Sequence, residues 1–242
     1  NYLYPVPMDW YTEYGVRKYG FHGTSHKYIT GKMQEKLGKK DVNLIICHIG
    51  SGASISAIKE GKCYDTTMGL TPLDGLMMGT RSGAIDPSIL EYVCKESEMT
   101  VAEITNALNK KSGLAGVCGL SDCRDVETAA ANGDEKAQLA LEMYHDRVAK
   151  YIADYFIELG GKVDAIVFTA GVGENGYEAR EAILNKVAPL GITVDKEKNA
   201  SIAGFKDVHE GVISGKDSKI EVWVMPTNEE LMIAEETLEL IK

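Results

Sequence analysis

The feature that most constrains the fold is a nearly unbroken apolar run, VNLIICHI, at residues 42–49. A run of this length that does not alternate between apolar and polar residues is typical of a strand covered on both faces. Such a strand lies inside a sheet that has helices above and below it. The chain is therefore predicted to be an α/β protein whose core is built around this strand.

Shorter apolar runs predict four more strands, at residues 54–58, 62–67, 164–169 and 219–225. The dipeptide Glu60-Gly61 separates the first two of them and predicts a tight hairpin turn. Residues 88–160 show mostly helical spacing and predict a helical insertion. The order βββαβαβα predicts a mixed five-stranded sheet with helices on both faces. The same order is found in ribonuclease-H-like and actin-like ATPase domains.

The charge balance argues against two classes of partner. The 242 residues contain 26 Lys+Arg and 36 Asp+Glu, a formal net charge of −10. A nucleic-acid binder needs a basic surface to replace phosphate counterions, and an anionic membrane also attracts basic surfaces. No run approaches the ~20 apolar residues of a membrane-spanning helix. We therefore expect neither nucleic acid nor membrane as a partner, and a cytoplasmic location.

Two loops of small residues are candidate phosphate-binding sites. In HIGSGAS, residues 48–54, glycines beside small hydroxyl residues let backbone N–H groups approach a phosphate closely, although an ordinary glycine turn has the same composition. In MGTRSG, residues 78–83, Arg81 stands among small residues that leave its guanidinium free to bind an anion. The alternative for Arg81 is a surface arginine that caps a helix.

The stretch FHGTSH, residues 21–26, is polar and forms turns readily. We expect His22 in a binding loop and His26 as an ordinary residue of the helix that follows, with Thr24 or Ser25 as the cap of that helix.

The stretch GVGENG, residues 171–176, matches G-x-G-x-x-G between a predicted strand and a predicted helix. This loop, with Asp195 further along the chain, keeps an NAD-dependent interpretation open. Against it, only one convincing strand follows, and Glu174 would place a charged acceptor where a pyrophosphate binds. The sequence has neither the G-x-x-x-x-G-K-[ST] signature of P-loop NTPases nor the HRD and DFG motifs of protein kinases.

Five stretches together resemble the acetate kinase family in order and spacing: YGFHGTSH (19–26), HIGSGAS (48–54), TPLDGLMMGTRSG (71–83), FTAGVGEN (168–175) and PTNEE (226–230). The resemblance implies an actin-like, two-domain kinase that interconverts ATP and acetate with ADP and acetyl phosphate, using Mg²⁺. It also implies a homodimer, for which the long apolar stripe of residues 135–159 offers a surface.

The resemblance further implies that residues 1–242 correspond to the C-terminal nucleotide-binding domain of such a kinase. Residues 1–40 would then be an inter-domain and substrate-loop segment. The opposing phosphate loop of the family, a second arginine and an active-site aspartate are not found in the sequence. We therefore expect the 242-residue chain by itself to be inactive.

The resemblance also implies roles for individual residues. Arg81 and His22 would hold the transferring phosphoryl group, and Phe21 and Pro72 would line an apolar pocket for the acetate methyl. Glu229 would help to place Mg²⁺. The nucleotide would contact His48, Gly50, Ser51, Gly52, Gly171, Val172, Gly173 and Asn175.

Three positions depart from the family pattern: Ser51 where Asn is usual, Ala84 where Asp or Asn is usual, and Glu236 where Arg is usual. Two other functions stay open. One is a propionate or butyrate kinase, because one methylene changes discrimination by only ~1–3 kcal/mol. The other is a non-catalytic actin-like nucleotide-binding module, which would not need Arg81 aimed at a transferring phosphoryl group.

Overall fold

The computed structural model describes residues 1–203 and 209–241. One mixed sheet of six strands forms its centre, in the spatial order β3-β2-β1-β4-β6-β5. The strands are β1 (Leu44–Ile49), β2 (Ala53–Lys59), β3 (Lys62–Thr66), β4 (Ala165–Thr169), β5 (Gly211–Val212) and β6 (Glu221–Val224). Strands β1, β4 and β6 are parallel to one another, and the other pairs are antiparallel.

The predicted count of five strands is wrong, because β5 was not expected. β5 has only two residues and pairs antiparallel with β6 at the edge of the sheet. A segment this short has too few residues to show an alternating pattern. The other five strands lie where the apolar runs predicted them.

The predicted hairpin between β2 and β3 is confirmed. Glu60 and Gly61 both have positive φ angles, 52° and 74°, as in the tight turns whose twist matches that of the flanking strands. A Cβ added to Gly61 would lie 2.6 Å from the carbonyl oxygen of Lys40. The turn therefore needs glycine for its conformation and for this close approach.

Helices surround the sheet: α1 (Met8–Tyr14), α2 (Gly23–Leu37), α3 (Ser88–Glu96), α4 (Val101–Lys110), α5 (Gly113–Cys118), α6 (Cys123–Ala131), α7 (Glu135–Glu158), α8 (Ala170–Asn175), α9 (Tyr177–Lys186), α10 (Lys196–Ser201) and α11 (Glu229–Leu240). Helices α3 to α7 form the predicted insertion between β3 and β4. Helix α5 lies in a glycine-rich part of this insertion, residues 113–119. No helix in the described part of the chain is both long and apolar enough to cross a bilayer.

The sheet is covered on both faces, as predicted from the run in β1. One face packs against α7 through buried side chains such as Tyr144, Val148 and Ile152. The opposite face packs against Ile29 and Met33 of α2. All six residues of β1 are consequently buried, and the strand is the shared centre of two apolar layers.

The apolar stripe of α7 is covered by the sheet and by helices α5, α6 and α9 of its own chain. Tyr144, Val148, Ile152 and Tyr155 are at most 2% exposed. The stripe therefore does not supply the surface on which the sequence analysis based a homodimer. The homodimer stays a prediction that rests on the family resemblance, as do the proposed boundaries of the inter-domain segment at residues 1–40.

Arg180 holds together the helices that follow β4. Its side chain is 1% exposed, and burial lowers the pKa of its guanidinium to about 10. Nη1 donates to the carbonyl oxygens of Gly173 and Glu174, each at 2.9 Å, at the end of α8. Nε and Nη2 donate to Asn199 and Nη2 also to Ile202, in and after α10. The charge is thus satisfied by carbonyl dipoles rather than by a carboxylate.

We expect Arg180→Met to lower the free energy of unfolding by about 3 kcal/mol, because it leaves several buried carbonyl groups without donors. Urea unfolding followed by circular dichroism measures the change. The matched control is Lys95→Ala, which removes an exposed pair with Glu91 and should cost at most about 0.5 kcal/mol. Equal losses in the two variants would contradict the structural role of Arg180.

Candidate active site

The candidate site lies at the edge of the sheet where three parallel strands end. Because β1, β4 and β6 are parallel neighbours, their carboxyl ends meet at one edge, which is where open α/β sheets bind ligands. Three segments leave the strands here: residues 50–52, α8 and residues 225–228. The structure thus brings together the first glycine loop, the G-x-G-x-x-G segment and the residues that precede Glu229.

Two of the predicted histidines stack on each other at this edge. His22 immediately precedes α2 and has a left-handed backbone, with φ 59°. Its ring centroid lies 4.0 Å from that of His48 in β1, and the two ring planes differ by 14°. Helix α2 begins at Gly23, so the expectation that Thr24 or Ser25 caps it is wrong. A left-handed residue other than glycine is uncommon, which marks His22 as a position held by its surroundings.

Arg81 reaches the same place from the loop between β3 and α3. Its Nη1 donates to the carbonyl oxygen of Pro72 at 3.1 Å and contacts Met78 Sδ at 3.4 Å. A Cβ added to Gly52 would lie 3.3 Å from His22 Nε2 and 3.6 Å from Arg81 Nη1. Glycine at position 52 therefore leaves the space into which the imidazole and the guanidinium both point.

Arg81 carries the positive charge of this cluster, because the stacked histidines are neutral at pH 7. Burial, and then the charge of Arg81, lowers the pKa of His22. Burial, and then His22, lowers the pKa of His48 to about 3. Both imidazoles therefore act as neutral hydrogen-bonding groups beside the guanidinium.

The G-x-G-x-x-G segment is a helix, α8, and not the loop that was predicted. The Glu174 carboxylate accepts the backbone N–H groups of Ala170 at 2.8 Å and of Thr227 at 3.2 Å. Glu174 therefore turns back into the protein, so the argument that it would place a charged acceptor at a pyrophosphate does not hold. A dinucleotide fingerprint needs a tight glycine turn before its helix. That turn is replaced here by α8, which removes the basis of the NAD-dependent interpretation.

Thr227 connects the end of β6 to the stacked histidines. Its hydroxyl donates to Ser25 Oγ at 2.8 Å, and Ser25 Oγ lies 2.8 Å from His48 Nδ1. Thr227, Ser25 and His48 are thus linked by two consecutive side-chain hydrogen bonds. Asn228, the next residue, caps α11 by accepting the N–H of Leu231.

A cavity of about 320 Å³ contains most of the residues predicted to bind the nucleotide. One wall consists of predicted residues: Gly50, Ser51, Gly171, Val172 and Asn175. The facing wall belongs to the helical insertion and was missed: Asp122, Cys123, Arg124, Glu127 and Tyr144. No motif marks this second wall, because the residues reach the cavity only when the insertion folds back over the edge of the sheet.

The remaining predicted residues lie around this cavity and not in it. Gly173 is buried, and a Cβ there would lie 3.5 Å from the carbonyl oxygen of Cys47, so the residue packs α8 against β1. Phe21 and Pro72 join the cluster through their backbone carbonyls, which face Ser54 Oγ at 3.3 Å and Arg81 respectively. The pocket for an acetate methyl stays a prediction.

A larger cavity, of about 720 Å³, lies between α2, the β2–β3 hairpin and α11. Phe21 and His26 line it, whereas Arg81, residues 50–52 and α8 do not. The smaller cavity is therefore the candidate nucleotide cleft.

Glu229 begins α11, with its side chain exposed to solvent. In residues 1–203 and 209–241, no three His, Cys, Asp or Glu side chains form a group that could hold a metal ion. Mg²⁺ usually keeps several waters and binds through one or two carboxylates plus substrate phosphates. A single exposed carboxylate fits that chemistry, whereas a metal cage made of protein ligands alone does not.

Two of the three departures from the family pattern have local partners. Ala84 offers its carbonyl oxygen to Arg147 Nη1 at 3.0 Å, and Glu236 forms an ion pair with Lys27 of α2. Ser51 is exposed at the mouth of the cleft.

The chain is similar over nearly its whole length to known proteins. A profile described as the Acetokinase family matches residues 1–235. The acetate kinase of Carboxydothermus hydrogenoformans is 54% identical over 242 residues, which cover 99% of this chain and 59% of that protein. The acetate kinase of Finegoldia magna is 51% identical, covering 100% and 60% respectively. The chain thus spans about six tenths of the length of these relatives.

Solved structures give the same picture. The acetate kinase of Porphyromonas gingivalis superposes with a TM-score of 0.93 at 45% identity, covering 100% of this chain and 60% of that one. A propionate kinase from Francisella tularensis gives 0.91 at 48% identity, covering 97% and 59%. These likenesses confirm the predicted actin-like α/β fold class. On the profile match and the identities together, the chain belongs to the acetokinase family.

Proposed function

We propose that this chain forms the nucleotide- and phosphoryl-binding side of an acetate kinase, which transfers a phosphoryl group reversibly between ATP and acetate. One observation carries the proposal: Arg81 and His22 converge on Gly52, beside the cleft formed by the glycine loop and α8. Positive charge and neutral donors thus meet next to a nucleotide-sized space.

The chemistry of phosphoryl transfer fits these groups. In-line transfer spreads negative charge over the equatorial oxygens, so the protein supplies alignment and positive groups. Arg81 would stabilise that charge, and the neutral imidazoles of His22 and His48 would donate hydrogen bonds to phosphate oxygens. A carboxylate acceptor such as acetate is ionised at pH 7. No general base is then needed, and the cluster contains none that is tuned to that task.

The cleft would hold the nucleoside between α8 and the wall from the insertion. The backbone of Gly50 and Ser51 would face the phosphates, since both residues line the cleft at the end nearest β1. Glu229 would place Mg²⁺ with the help of the phosphates. When bound, the ion neutralises charge on the phosphate oxygens.

A propionate kinase is the second candidate, because the Francisella tularensis structure with that title is 48% identical to this chain. The two substrates differ by one methylene, and Phe21 and Pro72 are the residues proposed to meet it. The ratio of kcat/KM for acetate and propionate in the full-length enzyme decides between the two. A purely binding module is the less favoured alternative, because it gives no use to Arg81.

The first prediction concerns Arg81. In the full-length enzyme, Arg81→Ala should lower kcat by at least ~10³, since an arginine that stabilises transition-state charge is worth ~10³–10⁵. Nucleotide Kd, measured by calorimetry, should change by less than about tenfold, because the cleft residues are untouched. Arg81→Lys is the control that keeps the charge but loses the planar fork. A kcat loss of less than tenfold in Arg81→Ala would rule out the proposed role.

The second prediction concerns pH. The pKa of His22 lies below its ordinary value of about 6.5, so the ring is neutral above that pH and becomes charged only on acidification. The ratio of wild-type kcat to that of His22→Asn should therefore stay constant between about pH 6.5 and 8.5. Comparing the two profiles cancels the titration of the nucleotide. A ratio that increases as the pH is lowered within this range would mean that the imidazolium form of His22 is the active one.

The third prediction concerns a polypeptide limited to residues 1–242. It should bind ADP, because both walls of the cleft are present. It should form ATP from acetyl phosphate far more slowly than the full-length enzyme. Transfer needs the phosphoryl group aligned between its donor and acceptor, an alignment worth ~7–11 kcal/mol. Calorimetric titration and a coupled assay measure the two properties. Full activity of this polypeptide would contradict the prediction, because it would show that residues 1–242 suffice for phosphoryl transfer.

A further inference from the structure

The buried hydroxyl of Ser54 faces three polar groups at once. Ser54 Oγ lies 2.8 Å from His22 Nδ1, 2.8 Å from His26 Nε2 and 3.3 Å from the carbonyl oxygen of Phe21. A hydroxyl has one hydrogen and two lone pairs. The direction of that hydrogen therefore determines which nitrogen of His22 carries its own hydrogen.

His26 is part of this network and not the ordinary helix residue that was predicted. It is buried, with 6% of its surface exposed, and its Nδ1 lies 2.8 Å from Ser56 Oγ. The pKa of His26 is lowered to about 3, mainly by burial and to a smaller extent by the neighbouring His48 and His22. The ring is neutral at pH 7, so one nitrogen donates a hydrogen bond and the other accepts one.

The hydroxyl of Ser56 sets the direction of the hydrogen bonds that link Ser56, His26 and Ser54 to His22. Ser56 is 1% exposed, and within the described residues the partner of its hydroxyl is His26 Nδ1. Ser56 lines the larger cavity, but if His26 donated from Nδ1, the Ser56 hydrogen would have no acceptor among the described residues, and a buried hydroxyl without an acceptor costs about 1–3 kcal/mol. The arrangement that gives every hydrogen of this cluster a protein acceptor has Ser56 donating to His26 Nδ1 and His26 donating from Nε2 to Ser54.

From these contacts we propose that His26 is a positioning residue that holds His22, through Ser54, in the tautomer with its hydrogen on Nε2. Having accepted from His26, Ser54 directs its hydrogen to His22 Nδ1 at 2.8 Å in preference to the Phe21 carbonyl at 3.3 Å. Hydrogen bonds that run in one direction polarise and strengthen one another. The chain thus runs from Ser56 through His26 and Ser54 to His22.

The consequence appears at the nitrogen of His22 that faces Gly52 and Arg81. With its hydrogen on Nε2, His22 and the guanidinium present donors toward the same space, which suits an anion. With the hydrogen on Nδ1, a lone pair would face that space and repel a phosphate oxygen. The role of His26 in transfer rests on the proposed function, whereas the tautomer of His22 does not.

The first test is independent of activity. Long-range ¹H–¹⁵N spectra of the full-length enzyme with ¹⁵N-labelled histidine distinguish a ring hydrogen on Nε2 from one on Nδ1. We expect His22, assigned from the signals lost in His22→Asn, to carry its hydrogen on Nε2 in the wild type. In His26→Leu, we expect a mixture of tautomers or the Nδ1–H form. A wild-type His22 with its hydrogen on Nδ1 would overturn the proposal.

The second test separates positioning from packing. His26→Leu should lower kcat at least about tenfold, the scale of a lost residue that orients a ligand-binding group, with a smaller change in nucleotide KM. His26→Gln, whose amide can still donate toward Ser54, should recover most of the kcat. Thr30→Val is the matched control. The Thr30 hydroxyl lies on the same face of α2 and donates to the His26 carbonyl, but it takes no part in the hydrogen-bonded chain from Ser56 to His22. The substitution should leave both kcat and the His22 tautomer unchanged.

A double-mutant cycle completes the test. Ser54→Ala already removes the hydrogen-bonded link between His26 and His22. In that background, His26→Leu should therefore cause no further loss of kcat. Additive losses would show that His26 acts through packing, and would overturn the proposal. If His26→Leu does not fold, Ser56→Ala replaces it, with the same spectral shift and non-additivity expected. An inactive wild-type enzyme would refute the proposed function, while the spectra would still decide the tautomer.

Discussion

The parallel pairing of β1, β4 and β6 is the constraint on which the site depends. It brings three chain segments, distant in sequence, to one edge of the sheet. In this register His48 is the direct neighbour of Thr169 in β4 and of Ser54 in β2. Because β2 returns antiparallel after a short glycine loop, the hydroxyl of Ser54 lies beside the end of β1. Helix α2, packed across the same face, then adds His22 and His26.

Two hydrogen-bonded chains end on the stacked histidines. One runs from Glu174 through Thr227 and Ser25 to His48. The other contains His26, Ser54 and His22. Two imidazolium rings 4.0 Å apart would repel strongly in a buried setting, so burial and proximity both keep the rings uncharged. The local positive charge is thereby left to Arg81, and the site gains donors without gaining further charges that need desolvation.

The sequence predicted well what local pattern determines. The run in β1, the Glu60-Gly61 turn and the stripe of α7 each follow from the spacing of neighbouring residues. The helix α8 was missed because glycines permit both loop and helix. Its geometry depends on a contact from Arg180 of α9, which donates to the carbonyl oxygens of Gly173 and Glu174, while Glu174 within α8 accepts the N–H of Ala170. The cleft wall at Asp122 and Glu127 was also missed because tertiary structure determines it. These residues reach the cleft only when the insertion folds back over the edge of the sheet.

His26 is the clearest case of a role that sequence could not assign. The sequence predicted only an ordinary residue of the helix that follows His22, because its partners Ser54 and Ser56 come from β2, across the sheet interface. Motif similarity singled out His22 because the family resemblance attached a role to it. No pattern reports which nitrogen of His22 carries hydrogen, because that depends on hydroxyl groups contributed by another element.

The two arginines near the glycine segments show how hydrogen bonding distinguishes structure from function. Arg180 has each guanidinium nitrogen engaged by a carbonyl or amide oxygen and is 1% exposed, so it has no donor left for a ligand. Arg81 is half-buried, and the hydrogen bonds it forms within the described residues all come from Nη1. A guanidinium has five N–H donors, so the donors on Nε and Nη2 of Arg81 have no acceptor among the described residues. Both arginines lie close to glycine-rich segments in the sequence; the count of satisfied donors assigns Arg180 to the framework and supports the phosphoryl-binding role proposed for Arg81.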